Sequence, residues 1–193
     1  MAKTISAKIR NQDFVFENSH VRVVANRSLP EIKLAGLSVG PLEEGNEYEL
    51  CFWVADELEK SGIVHFREED RLDASRLYKI QWKERAQTAG QISKLPEDFY
   101  QKLRRYLKQL KEESARIPEK MLDCEKVKHL ANDIVNSRMK KIVSLASAST
   151  QSEHMLKNFA VEERLLYEKL HKLVYEWREY VLKFDGEEQC PKN

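Results

Sequence analysis

The chain has 193 residues, of which 41% are hydrophobic and 34% charged, with a formal net charge of +1. This length and apolar content support a buried core, while Lys+Arg 33 against Asp+Glu 32 excludes a strongly basic nucleic-acid coat and an acidic disordered tail. No apolar run approaches the roughly 18 residues of a membrane span.

The first third predicts strands. Phe14 and Phe16 alternate with polar or smaller neighbours, His20 to Asn26 carries Val21, Val23 and Val24, and Glu31 to Ala35 puts Ile32 and Leu34 on one face. Alternation at period two marks half-buried strands. Pro30, Gly36, Gly40-Pro41 and Gly45-Asn46 supply turns between them. From Leu50 to Lys60 the period becomes helical, with Leu50, Trp53, Val54 and Leu58 on one face. Gly62 suits the C-terminal cap of that helix, and Ile63 to Phe66 returns as a strand. Residues 1–67 therefore form a small α/β domain, its short strands closing over Trp53.

Residues 68–193 read as helices. Arg71 to Ala86 carries Leu72, Leu77, Tyr78 and Ile80. Pro96 suits a first helical position, followed by the stripe Phe99, Leu103, Tyr106, Leu107 and Leu110. Pro118 opens a further helix with Leu122, Val127, Leu130, Ile134, Val135, Met139, Ile142 and Val143. It runs into a Ser/Thr-rich stretch at 144–152, read as a helix end and loop. The last helix spans about Phe159 to Phe184, with Leu166, Leu170, Leu173 and Trp177 at 4-3-4 spacing. Glycine follows the same division. Only 6 occur, and none lies between Gly90 and Gly186, as suits helices in which Gly costs about 1 kcal/mol relative to Ala. The expected fold is mainly α, with a helical bundle as the larger domain.

Charge also separates the halves. Residues 20–66 hold 4 Lys/Arg against 8 Asp/Glu, and residues 67–193 hold 26 against 22. A basic cluster at Lys102, Arg104, Arg105, Lys108 and Lys111 is interleaved with Tyr100 and Tyr106. It reads either as a DNA-binding face or as the solvated side of an amphipathic helix. The last helix is apolar or aromatic over more than half its circumference. Such a helix is buried on two sides, either centrally in a monomer or against another subunit, where Trp and Tyr concentrate binding energy.

Catalytic patterns are missing. Gly40-Pro-Leu-Glu-Glu-Gly45 begins like a phosphate-binding loop but continues Asn46-Glu47 where Lys and Ser/Thr are needed. The five His have no ligand-like spacing, and Cys124 and His129 lie five apart, off the i, i+4 geometry of a shared metal. We expect no enzyme activity, no metal and no cofactor. Three scattered Cys and an N-terminus without an apolar segment lead us to expect a reducing, intracellular setting.

Two regions carry a family resemblance. Leu29-Pro30-x-Ile32-x-Leu34-x-Gly36-x-x-Val39-Gly40-Pro41-Leu42-x-x-Gly45-x-x-Tyr48-x-Leu50-x-x-Trp53-Val54-Ala55 resembles the small domain of GINS subunits. Leu95-Pro96-x-x-Phe99-Tyr100, Arg138-x-x-Lys141-Ile142-x-x-Leu145-Ala146 and Glu162-Glu163-x-x-Leu166-Tyr167 resemble that family's helical domain. Together they span roughly residues 20 to 185. The order, small domain first, is similar to the archaeal subunit that corresponds to the second and third "partner of Sld" subunits of eukaryotes.

The resemblance implies a non-catalytic scaffold in a four-subunit assembly at replication forks, with two copies paired to two helical-first subunits. It implies the MCM helicase and a RecJ-like protein as partners, indirect or weak contact with DNA, and a cytoplasmic, nucleoid-associated location, or a nuclear one in a eukaryotic source. It makes Phe99, Arg138, Lys141, Ile142, Leu145, Leu166, Tyr167, Leu170 and Trp177 candidate interface residues. Pro30, Gly36, Gly40, Pro41, Gly45 and Trp53 are the structural motif of the small domain. Arg104, Arg105 and Lys108 are the candidate DNA contacts of the competing reading. Ala160 stands where the family often has a capping Thr, so the last helix loses its cap unless Asn158 supplies one a turn earlier.

Overall fold

The structure is a computed structural model that describes residues 2–34, 36–87, 91–148 and 153–183. The chain is mainly α-helical, with a small strand-containing part first and a larger helical part after it. It divides into two compact units: residues 1–76 with 98–124, and residues 77–97 with 125–193.

The first unit opens with helix α1 (Ala2–Glu17), where alternation at Phe14 and Phe16 predicts a strand. Three residues are too few to fix a period. Over the longer span Ile5, Ile9 and Phe16 follow helical spacing and face inward, whereas Phe14 is 65% exposed. Strand β1 (His20–Ala25) then pairs antiparallel with β4 (Glu47–Cys51) on one side and β5 (Val64–Phe66) on the other. A separate hairpin joins β2 (Ile32–Leu34) to β3 (Leu37–Val39). Val23, Ala25, Leu42, Ala55 and Val64 make the core of this part.

Turn chemistry fits the sequence reading. Gly36, Gly40 and Gly45 have φ of +93°, +92° and +83°, values L side chains rarely adopt. Gly40 is also crowded: an added Cβ would lie 3.2 Å from the Leu42 nitrogen and 3.3 Å from the Pro30 oxygen. The peptide bond from Gly40 to Pro41 is cis.

Two boundaries in this part differ from expectation. Leu50 lies in β4 opposite Val21, and helix α2 (Phe52–Lys60) begins after it. The sheet does not close over Trp53, whose ring is 42% exposed, because α2 turns Val54 and Ala55 inward instead. As expected, Gly62 follows the end of α2, its N–H donating to the Glu59 oxygen at 2.8 Å.

Helix α3 (Ala74–Ala86) starts where the Asp73 carboxylate accepts the Arg76 N–H at 2.7 Å. Helix α4 (Phe99–Arg116) starts after Asp98, whose φ of +53° breaks the preceding backbone. Pro96 is therefore outside the helix it was expected to open. Pro118 begins a short 3-10 turn that leads into α5 (Met121–Ala146).

In the second unit, short α6 (Glu153–Leu156) precedes α7 (Val161–Val181). The cap of α7 also departs from expectation. Asn158 does not cap it, because its amide donates to the Ile92 oxygen at 3.1 Å. The Glu163 carboxylate instead accepts the Ala160 N–H at 2.9 Å. Residues 149–152 of the Ser/Thr-rich stretch, together with Phe184, lie outside the described residues.

Candidate assembly site

The signature around Arg138 builds the centre of the second unit. Arg138 and Lys141 are three apart on α5 and so share a face. The Arg138 side chain has no exposed surface. Its Nη1 donates to Glu84 Oε1 of α3 at 2.6 Å and to the Ser93 carbonyl at 3.0 Å. Its Nη2 donates to Glu163 Oε2 of α7 at 2.7 Å, and its Nε to the other oxygen of that carboxylate. Lys141 Nζ donates to Glu84 Oε2 at 2.8 Å and to the Glu84 carbonyl at 2.9 Å. The Ser93 hydroxyl completes the shell of Glu84.

Two cations thus face two anions, and the forked guanidinium is held by a carboxylate on either side. Burial alone would push the Glu84 carboxyl up. Hydrogen bonds from Lys141 and Ser93 and the charges of Arg138 and Lys141 outweigh it, holding the group below its ordinary value. Beside the cluster, Ile92, Ile142, Ala146 and Tyr167 form an apolar core, with Leu145, Leu156, Phe159, Leu166 and Leu170 packed against it.

This placement sorts the candidate interface residues. Arg138, Lys141, Ile142 and Tyr167 are buried in the chain's own second unit, and Phe99 in its first. These residues are at most 5% exposed, so they chiefly pack the interior of the chain's own units. Leu145, Leu166 and Leu170 are half-buried against the same core. Trp177 is the exposed residue among the candidates, at 63%.

Its neighbours Leu173, Tyr175, Tyr180, Val181 and Leu182 are exposed as well, Tyr180 at 83%. In the second half of α7, Leu173, Trp177, Tyr180 and Val181 lie on one face and Tyr175 on the opposite one, and each is more than half exposed. Exposed apolar residues grouped on one helix face mark binding sites. Sequence reasoning singled out the broad apolar content of this helix. It missed the exposed pair Tyr78 and Trp82 on α3, and it missed Glu84. The i, i+4 spacing of Tyr78 and Trp82 was a usable signal. Glu84 had none, since its neighbours Lys83 and Arg85 make it look like an ordinary exposed carboxylate.

The candidate DNA contacts are engaged within the first unit. Arg104 Nε donates to Asp13 Oδ1 at 3.1 Å, and Arg105 Nη2 to Glu17 Oε1 at 2.9 Å, both acceptors on α1. Lys108 is exposed, 4.0 Å from Glu112. Among the described residues no group of three or more His, Cys, Asp or Glu is placed to hold a metal ion, and no helix is long and apolar enough to cross a membrane.

Residues 71–182 match the model of the GINS complex protein helical bundle domain, and residues 8–65 match that of the PSF2 N-terminal domain. The chain is also similar to the human DNA replication complex GINS protein PSF2, at 27% identity over 142 residues, covering 73% of this chain and 72% of the relative.

Proposed function

The chain belongs to the GINS complex protein family, with an N-terminal part like that of PSF2, and on that footing we propose that it is a non-catalytic scaffold subunit of a replication assembly. The exposed Leu173, Trp177 and Tyr180 face of α7 carries this reading. A rigid helix held by a buried ionic cluster presents aromatic anchors, the residue types in which interface energy concentrates. A helical-first GINS subunit covers that surface, in a four-subunit complex that pairs two chains of each kind. The completed complex joins the MCM helicase, and in an archaeal source a RecJ-like protein, to support DNA unwinding. It acts by holding partners in place, in the nucleus or on the nucleoid. The division of labour falls near residue 67: residues 1–67 provide a docking domain and residues 68–193 the assembly domain.

Engagement of Arg104 and Arg105 by carboxylates of α1 weighs against direct DNA binding through α4. Co-purification with a helical-first subunit, followed by light scattering, tests the scaffold reading. Trp177→Asp with Tyr180→Asp abolishes the complex while leaving the far-ultraviolet spectrum and melting temperature of the isolated chain unchanged. An unaltered complex, or ATP hydrolysis by the purified chain, overturns the proposal.

A further inference from the structure

The basic row of α4 has an internal task that neither its composition nor the assembly reading assigns. Arg105 reaches two elements of the strand-containing part at once. It donates to Glu17 of α1 at 2.9 Å, and its Nη1 lies 3.6 Å from Asp56 Oδ2 of α2. Its guanidinium carbon sits 4.3 Å from the centre of the Phe52 ring, at the start of α2. Phe52 in turn packs on Phe16 of α1 and on Phe66 of β5, with ring centres 4.5 and 5.2 Å apart. One helical position earlier, Arg104 holds Asp13 of α1 through two of its nitrogens.

The apolar attachment of α1 is thin by comparison. Phe16 is its one buried hydrophobic residue among those whose side chains are described, and Ile5 and Ile9 are only half-buried. Charge thus supplies much of what seats α1, and through Phe52 and Asp56 also α2, on α4. These carboxylates and guanidinium groups are each about a third to a half exposed, so dissolved ions reach them. Screening shortens from roughly 10 Å at 0.1 M salt to about 3 Å at 1 M.

We propose that Arg104 and Arg105 form an ionic clamp that seats the strand-containing part on α4, and that ionic strength sets how firmly the clamp is closed. The Phe52 stack makes Arg105 the pivot, because a cation over a ring is held by the ring as well as by the carboxylates. Arg104 adds a second attachment to α1. A free clamp lets the docking domain turn away from α4, and a closed one fixes its direction.

Hydrogen exchange read by mass spectrometry on the full chain, in low and in 1 M NaCl, tests this. Arg105→Ala raises exchange in residues 13–17 of α1 by about tenfold, the loss expected for one cation–ring contact and two part-exposed ion pairs. Amides of β1 stay at wild-type rates, since that sheet is held by its own ladder. High salt speeds α1 exchange in the wild type and has no further effect in the double variant Arg104→Ala with Arg105→Ala.

Charge exchange keeps the test decisive if Arg105→Ala unfolds the domain and β1 exchange rises with α1. Arg104→Asp alone loosens α1, and adding Asp13→Arg restores wild-type protection. Unchanged α1 exchange in Arg105→Ala, equal salt sensitivity in wild type and double variant, or no rescue by the charge exchange each overturns the clamp.

Discussion

Arg138 shows how much one buried side chain organises. It joins α5 to α3 through Glu84 and to α7 through Glu163, and it has no exposed surface. Removing one member of a buried, hydrogen-bonded charge set leaves its partners uncompensated. Arg138→Ala should therefore destabilise the chain by about 3–5 kcal/mol in urea unfolding. Glu84 adds a dependence on pH. Its carboxyl is held below the unfolded value, so its contribution is complete above the usual carboxylate range and is lost as pH falls through the folded value. The stability gap between wild type and Glu84→Gln should accordingly be largest near neutrality and shrink as the medium is acidified below about pH 4, where the unfolded carboxyl is protonated. A gap that stays constant with pH would show that Glu84 is not ionised in the folded chain.

At the scale of elements, the turn around Gly40 separates two costs that a glycine can conceal. Gly36 and Gly45 need only their positive φ, since a Cβ at either would meet open space, whereas Gly40 has the Leu42 and Pro30 backbones within 3.3 Å of that position. Gly45→Ala should cost about 1–2 kcal/mol for the left-handed backbone alone. Gly40→Ala should cost clearly more, and thermal melts of the two variants measure the difference. The sequence made this turn legible because glycine and proline act locally. It made helices α4, α5 and α7 legible because their apolar stripes are long. Helix α1 was not legible from Phe14 and Phe16, since two aromatics at period two fit a strand as well as a helix whose inward face is set by Ile5, Ile9 and Phe16. Trp53 misled for a related reason: Val54 and Ala55 are enough to fill the space under α2, and the larger ring stays at the surface. The Arg138 and Lys141 signature was visible, but its burial was not. That depends on Glu84 and Glu163, which lie 54 and 25 residues away from Arg138.

On the scale of the whole molecule, the proposed interface on α7 ties stability to company. A partner that binds only the folded chain raises its melting temperature in proportion to the logarithm of free partner concentration. Titrating a helical-first subunit into the chain should raise the melting temperature progressively, and Trp177→Asp with Tyr180→Asp should flatten that rise. A melting temperature that ignores the partner in the wild type would remove α7 from the contact. The start of this helix gives the same surface a further property. Glu163 closes the first turn of α7 by accepting the Ala160 N–H and, with the same carboxylate, neutralises Arg138. Sliding or unwinding that turn would take from a buried guanidinium one of its two carboxylate partners. Trp177 lies 14 positions further on, about four turns along the helix. The rotational setting of the aromatic face is thus keyed by a charge far from it. A substitution at Glu163 would shift the exposed aromatic residues of α7 without altering any one of them.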